Sequence, residues 1–163
     1  MPRDPISGSP TSPSDNVRFA ALRLLGRRDL TRAELTTRLI DRGYPADEVE
    51  AAVDRLVAGS SVDDRRTALA HVRTASRIKG RGRLRIQREL TARGIARDIV
   101  EEALRELNPD DDMQAIRRFL SKKRVTGRPS PAERQRLFQQ LLRRGFHSSL
   151  IAKALSVRDL DDE

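Results

Sequence analysis

The sequence predicts an all-α protein made of three tandem three-helix repeats that form an elongated, curved helical stack. After residue 15 the chain is rich in Leu, Ala, Arg and Glu, its apolar residues follow a helical period, and runs of β-branched residues are absent. A six-residue motif also recurs with a period of 51 residues: Leu39-x-x-Arg42-Gly43-Tyr44, Leu90-x-x-Arg93-Gly94-Ile95 and Leu141-x-x-Arg144-Gly145-Phe146. Because one such repeat is too small to bury its core well, we expect the repeats to pack in a row.

Each motif is interpreted as a helix end followed by a turn into the next helix. In the first repeat, Arg42 stands in the last turn, where a cation suits the negative end of the helix dipole. Gly43 then supplies the positive φ that a helix C-terminus needs, and Tyr44 packs back as an apolar residue. The next helix shows an apolar stripe at i, i+3, i+4 and i+7, formed by Val49, Ala52, Val53 and Leu56.

The repeats and the ends of the chain differ in composition, which sets the expected domain boundaries. A Pro- and Ser-rich start predicts a disordered tail, and the last residues form an acidic tail. The predicted ranges are a tail at 1–15, repeats at 16–58, 59–108 and 109–157, and the acidic tail at 158–163. The first helices of the repeats are expected at about 16–27, 63–78 and 110–123. Thr31-Arg32-Ala33-Glu34 and Ser130-Pro131-Ala132-Glu133 read as capping boxes that begin later helices.

Composition and motifs exclude several classes of protein. The chain has 163 residues and no cysteine, so disulfides, Cys zinc sites and thiol catalysis are excluded. It contains no apolar run of membrane-spanning length and begins without a signal-like stretch, so we expect a cytoplasmic monomer without membrane contact. His71 and His147 lie in different repeats without metal-ligand spacing. We therefore predict no catalytic set, metal or cofactor, and no enzymatic activity.

The positive charge of the chain is concentrated in one segment. The whole chain has a net charge of +9, while residues 65–97 contain eleven basic residues and one acidic residue. Such a block predicts a polyanion or an acidic protein surface as partner. No aromatic residue lies in the segment, so base stacking there is not supported. The candidate partner- or nucleic-acid-binding residues are Arg73, Arg77, Lys79, Arg81, Arg83, Arg85 and Arg88.

One glycine-rich loop lies inside this basic segment. In Gly80-Arg81-Gly82-Arg83, the glycines could expose backbone N–H groups to a phosphate. A tight turn between two helices explains the same two glycines equally well. Both interpretations stay open on the sequence alone.

The middle repeat resembles the RecX family. The residues that carry the resemblance are Asp63-Asp64, Val72-Arg73, Arg77-Ile78-Lys79-Gly80-Arg81-Gly82, Ile86-x-x-Glu89-Leu90 and Arg93-Gly94-Ile95. The resemblance extends over about 17–155 and includes the three tandem units. It implies a regulator that lodges in the helical groove of the RecA–DNA filament and inhibits ATP hydrolysis, strand exchange and coprotease activity. Thr67 and His71 stand where the family often has aromatics, and Arg83 stands where it often has proline.

Two other functions fit parts of the sequence. Residues 31–56 alone could form the helix-turn-helix head of a sequence-specific repressor. The threefold repetition argues against this function, because a repressor needs only one reading head for each half-site. A basic helical adaptor unrelated to recombination is the remaining alternative. DNA contact, under the leading interpretation, is expected to be non-specific and made through phosphates.

Overall fold

The computed structural model describes residues 13–108, 110–125 and 129–157, and these residues form nine α-helices and no β-strand. The all-α fold and its three-helix repeats are therefore confirmed. The helices are α1 (Pro13–Leu25), α2 (Arg32–Ile40), α3 (Ala46–Ala58), α4 (Asp64–Arg73), α5 (Arg83–Ala92), α6 (Arg97–Leu104), α7 (Asp111–Lys122), α8 (Pro131–Arg143) and α9 (Ser148–Val157). A π-helical turn, Thr74–Ile78, follows α4 directly.

The chain divides after Asp64 into two compact units. The first unit contains the first repeat, in which α1 and α2 both pack on α3. The second unit contains the other two repeats, in which α5 packs on α6 while α7 and α8 pack on α9. The elongated, curved arrangement of the whole chain stays a prediction.

Each repeat has an apolar core of its own. Leu35, Leu39 and Val49 are fully buried in the first core, Ile86 and Leu90 in the second. The third core is centred on five side chains, namely Ile116, Leu120, Leu141, Phe146 and Ile151. The leucines that recur at a period of 51, Leu39, Leu90 and Leu141, are thus core positions, which helps to explain why the period is visible in the sequence.

The recurring motif closes a helix in all three repeats, as predicted. Gly43, Gly94 and Gly145 have φ angles of 88°, 74° and 89°. In the first repeat, the N–H of Gly43 donates to the carbonyl of Ile40 and that of Tyr44 to Leu39, the bond pattern of a Schellman cap. The other two repeats show the same pair of bonds.

Helix ends depart from the expected ranges in a few places. α1 begins at Pro13, three residues before the predicted start, so residues 13–15 are helical although they were expected to belong to the disordered tail. The predicted helix at 63–78 is α-helical only to Arg73 and then widens into the π-turn. The capping box predicted at Thr31 is complete: its side chain accepts from the N–H of Glu34, whose carboxylate accepts from the N–H of Thr31. At Ser130 the first half of the predicted box is present, since its side chain accepts from the N–H of Glu133. Residues 1–12 and 158–163, where the tails were predicted, lie outside the described residues.

Candidate anion-binding cleft of the second unit

A cleft of about 300 Å³ opens in the second unit beside the π-turn and α7. Arg77, Lys79, Arg118 and Lys122 line it, and every charged residue among its lining residues is a cation. Within the part of the chain that the structure describes, these four side chains make no hydrogen bond or ion pair. We call this cavity the second-unit cleft; it is completed by Ile78, Gly80, Ala115, Phe119 and Arg144.

The π-turn supplies Arg77, and the residue that follows it supplies Lys79. Its wider winding is closed by a bond from the N–H of Lys79 to the carbonyl of Thr74, at 3.1 Å. Gly80 then takes a φ of 57°, which lets the N–H of Arg81 reach the carbonyl of Ala75 at 3.0 Å. Short π-helical segments inside α-helices are frequent at functional sites. Here the segment ends α4 at the edge of the cleft.

α7 supplies the other two cations, and Arg144 of the third repeat motif lies beside them. Arg118 and Lys122 are four residues apart, so they lie on one face of α7. The guanidinium of Arg144 lies 4.7 Å from the centre of the Phe119 ring, a cation–π contact, and its Nη1 donates to the carbonyl of Gly80 at 3.4 Å. The cleft therefore joins the second and third repeats through one fixed arginine.

The structure separates the predicted site residues into two groups. Arg77 and Lys79 lie in the second-unit cleft, whereas Arg73 and Arg88 are exposed outside it. Arg88 donates from Nε to the carbonyl of Leu84 in its own helix. The remaining three, Arg81, Arg83 and Arg85, are half-buried and bonded within the unit.

Arg81 and Arg85 converge on the one acid of the basic segment, Glu89. Nη1 of Arg81 lies 2.6 Å from Oε2 of this carboxylate, Nε of Arg85 lies 2.9 Å from Oε1, and Nε2 of His71 lies 3.0 Å from Oε2. Burial by itself would raise the pKa of Glu89, but the hydrogen bonds from Arg85, His71 and Arg81 outweigh it and leave the pKa below its usual value. This cluster neutralises charge inside the fold.

Arg83 bonds to the end of α6. Its guanidinium donates at 2.9 Å to the carbonyl of Leu104, the last residue of the helix, and at 3.1 Å to that of Leu107 in the turn that follows. Its backbone N–H points at Asp112 at 3.5 Å. Burial raises the pKa of Asp112, and the contact with Arg83 only partly opposes that rise.

The glycine-rich loop is a tight junction between helices. The N–H of Gly82 donates to the carbonyl of Arg144 at 2.8 Å, and that of Leu84 to Gly145 at 3.1 Å. A Cβ on Gly82 would come within 2.6 Å of the backbone nitrogen of Phe146. Because the N–H groups of Gly82 and Leu84 are already bonded, the structure favours the turn interpretation of the loop over the phosphate-cradle interpretation.

Sequence reasoning missed Arg118 and Lys122, which belong to the third repeat and lie outside the basic segment. Their signal was a pair of cations on one helical face, but that pattern is common on solvated helices.

Among the described residues no group of His, Asp and Glu is placed to hold a metal ion. The described helices also include none with the length and apolar character needed to cross a bilayer.

Comparison with known proteins finds one family. Models of the first, second and third three-helix domains of RecX match residues 18–56, 63–104 and 110–155. The chain is 38% identical over 154 residues to the regulatory protein RecX of Halorhodospira halophila, with 92% of each chain covered. It is 32% identical to that of Mycolicibacterium smegmatis, covering 91% of this chain and 82% of the relative.

Solved structures agree on the fold. The crystal structure of RecX from Lactobacillus salivarius superposes with a TM-score of 0.77 and covers 91% of this chain and 97% of its own. The sequence identity is 21%, so this likeness bears on the fold alone.

Proposed function

The chain belongs to the RecX family of regulatory proteins, and on that basis we propose that it regulates RecA by binding in the groove of the RecA–DNA filament. The proposed effect is mainly inhibition of ATP hydrolysis, strand exchange and coprotease activity. The second-unit cleft is the proposed contact. The anion it meets there is either a DNA phosphate or an acidic side chain of RecA.

The observation that carries this proposal is the unneutralised charge of the cleft. Arg77, Lys79, Arg118 and Lys122 come from two repeats, and no acid lies among the residues that line the cavity. In the same unit, Arg81 is matched by a carboxylate and Arg83 by backbone carbonyls. Cations held together without a counter-ion repel one another, so a bound anion would relieve that cost.

The proposed mechanism is mechanical restraint. A rigid helical unit that contacts neighbouring subunits of a filament opposes their relative movement. ATP turnover and strand exchange depend on such movement, so both should slow. Tight internal bonding of Arg81, Arg83 and Arg85 supports this role because it stiffens the unit that carries the cleft.

The test is RecA ATPase on single-stranded DNA, titrated with wild type and with Arg77→Ala/Lys79→Ala. We expect the double variant to need about tenfold more protein for half-inhibition, equivalent to about 1.4 kcal/mol of lost binding. The matched control is Arg105→Ala/Arg117→Ala, which removes two exposed cations of the same unit away from the cleft. The control should inhibit like wild type.

Three outcomes would contradict the proposal. Wild type could leave the ATPase unchanged, the cleft variant could inhibit as well as wild type, or the control could lose as much as the cleft variant. Tight binding to one short duplex that survives high salt would favour the repressor instead. Binding through phosphates alone weakens steeply with salt, by a log–log slope of about −0.7 per contact on a single strand.

A further inference from the structure

The first unit contains a second cleft lined by cations. The cavity measures about 160 Å³, and its charged lining residues are Arg23, Arg27 and Arg42. Within the described residues these three guanidinium groups make no hydrogen bond or ion pair. We call this cavity the first-unit cleft; Ala20, Leu24 and Tyr44 complete its wall.

The two clefts are built from equivalent residues. Arg23 lies on α1 and Arg27 in the turn directly after it; they follow Ala20 by three and seven residues, and all three line the first-unit cleft. On α7, Ala115, Arg118 and Lys122 have the same spacing and line the second-unit cleft. The arginine of the repeat motif, Arg42 or Arg144, completes a matched set of three cations in each cleft, and the second-unit cleft adds Arg77 and Lys79.

The middle repeat does not have this arrangement. Its buried residues Ala68, Val72 and Ala75 lie 51 residues after Val17, Ala21 and Leu24, which are buried on α1. The same offset places Thr74 and Ile78 at the positions of Arg23 and Arg27. The side chains at these positions are a hydroxyl and an exposed hydrocarbon. Packing of the repeat therefore does not require cations there, since the middle repeat packs without them.

We propose that the first-unit cleft binds a phosphate group of a single-stranded nucleic-acid backbone. Three arginines surround one small cavity, and the guanidinium group donates to phosphate oxygens as a bidentate fork. Tyr44, half-buried in the same wall, gives a ring on which the adjoining base or sugar can pack. Cationic grooves combined with aromatic side chains are typical of sequence-tolerant single-strand binding.

This site is separate from the proposed action on RecA. All its residues lie in the first unit, and the contact with nucleic acid needs no RecA. A failed ATPase experiment would leave the phosphate site in place. A failed DNA-binding experiment would leave the second-unit cleft and its proposed partner in place.

The test is binding of the full chain to a fluorescent oligothymidylate, followed by anisotropy over a series of KCl concentrations without RecA. The variant is Arg23→Gln/Arg27→Gln. Removing two of the three arginines around this one phosphate should weaken binding at low salt and make the log–log salt slope shallower by up to about 0.7, the contribution of one phosphate contact. Both arginines are exposed, so the thermal unfolding midpoint should not change.

The matched control is Arg28→Gln/Arg38→Gln, which removes the same charge from exposed positions outside the cleft. Its log–log salt slope should differ from that of wild type by only a fraction of the roughly 0.7 that one phosphate contact contributes. An unchanged slope in the cleft variant would overturn the proposal. An equal loss in both variants would also overturn it, because binding would then follow total charge rather than the cleft.

Discussion

Two adjacent stretches of the basic segment have similar sequences and very different surroundings. Arg77 and Lys79 lie in the second-unit cleft without partners in the described part of the chain. Arg81, Arg83 and Arg85, only a few residues later, are bonded to a carboxylate or to backbone carbonyls. Net charge along a sequence therefore does not measure the charge that a partner can reach.

The difference arises from where the helices meet. α5 begins against the C-terminal end of α8, so the N–H groups of Gly82 and Leu84 bond to carbonyls of Arg144 and Gly145. Each helix end satisfies polar groups that the other leaves without partners. Arginines at this junction are drawn into the same bonding, whereas the π-turn before it ends at the cleft.

The largest expected effect comes from breaking this junction with Gly145→Ala. Gly145 has a φ of 89°, and its added Cβ would meet the backbone of Arg85, with Cα of that residue only 2.8 Å away. We expect a loss of at least about 3 kcal/mol in the free energy of unfolding of the second unit, from the left-handed backbone and the overlap together. Denaturant unfolding followed by circular dichroism measures it.

Gly43→Ala is the matched control, because Gly43 has a φ of 88° and open space at its Cβ. It should cost only about 1–2 kcal/mol, the penalty of the left-handed conformation. Equal losses for the two variants would mean that the junction does not depend on close backbone approach at Gly145.

A smaller effect on stability distinguishes Arg83, which is bonded within the unit, from Arg77, which lies in the cleft. Arg83→Met keeps most of the side-chain length but removes the donors to Leu104 and Leu107, so we expect a loss of about 1.5–3 kcal/mol. Arg77→Met should change stability by less than about 0.5 kcal/mol, as is usual for exposed positions. Thermal or urea unfolding of both variants compares them, and a larger loss for Arg77→Met would reverse the assignment.

The sequence predicted the repeats because burial, caps and glycines leave local signals. Leu39, Leu90 and Leu141 are all fully buried, and the glycines of the motif all have positive φ. The π-turn was not predicted, since Thr74–Ile78 has no composition that separates it from an ordinary helix end. The division after Asp64 was not predicted either, because it depends on contacts between repeats rather than within them.

The candidate site was harder to predict for a similar reason. A fixed period does not align the cations of the two clefts: Arg27 and Arg42 are 15 residues apart, whereas Lys122 and Arg144 are 22 apart. The second helix of the third repeat, α8, has 13 residues against 9 in α2, which accounts for four of the seven residues by which these spacings differ. Only the folded chain brings the equivalent residues to equivalent places.

The smallest expected effect is a pH dependence that arises from Glu89. Its pKa is lowered in the folded protein, because hydrogen bonds from Arg85, His71 and Arg81 outweigh the cost of burial. The glutamate of the unfolded chain, with its ordinary pKa of about 4.5, therefore takes up a proton first as pH falls. The stabilisation is fully present above that pH and is lost as pH falls through the lower pKa of the folded protein. Glu89→Gln should cost about 1–2 kcal/mol at pH 7, and the difference from wild type should narrow below pH 4.5.

Urea unfolding at neutral and acidic pH checks this dependence, with Glu106→Gln, an exposed position, as the control. Asp112 acts in the opposite sense. Burial raises its pKa in the folded protein, so the cost of burying its charge is relieved as pH falls through that raised pKa. For that reason the gap between Glu89→Gln and wild type is the quantity to follow, because Asp112 contributes equally to both. A gap that stays constant from neutral to acidic pH would show that Glu89 does not hold its charge through these arginines.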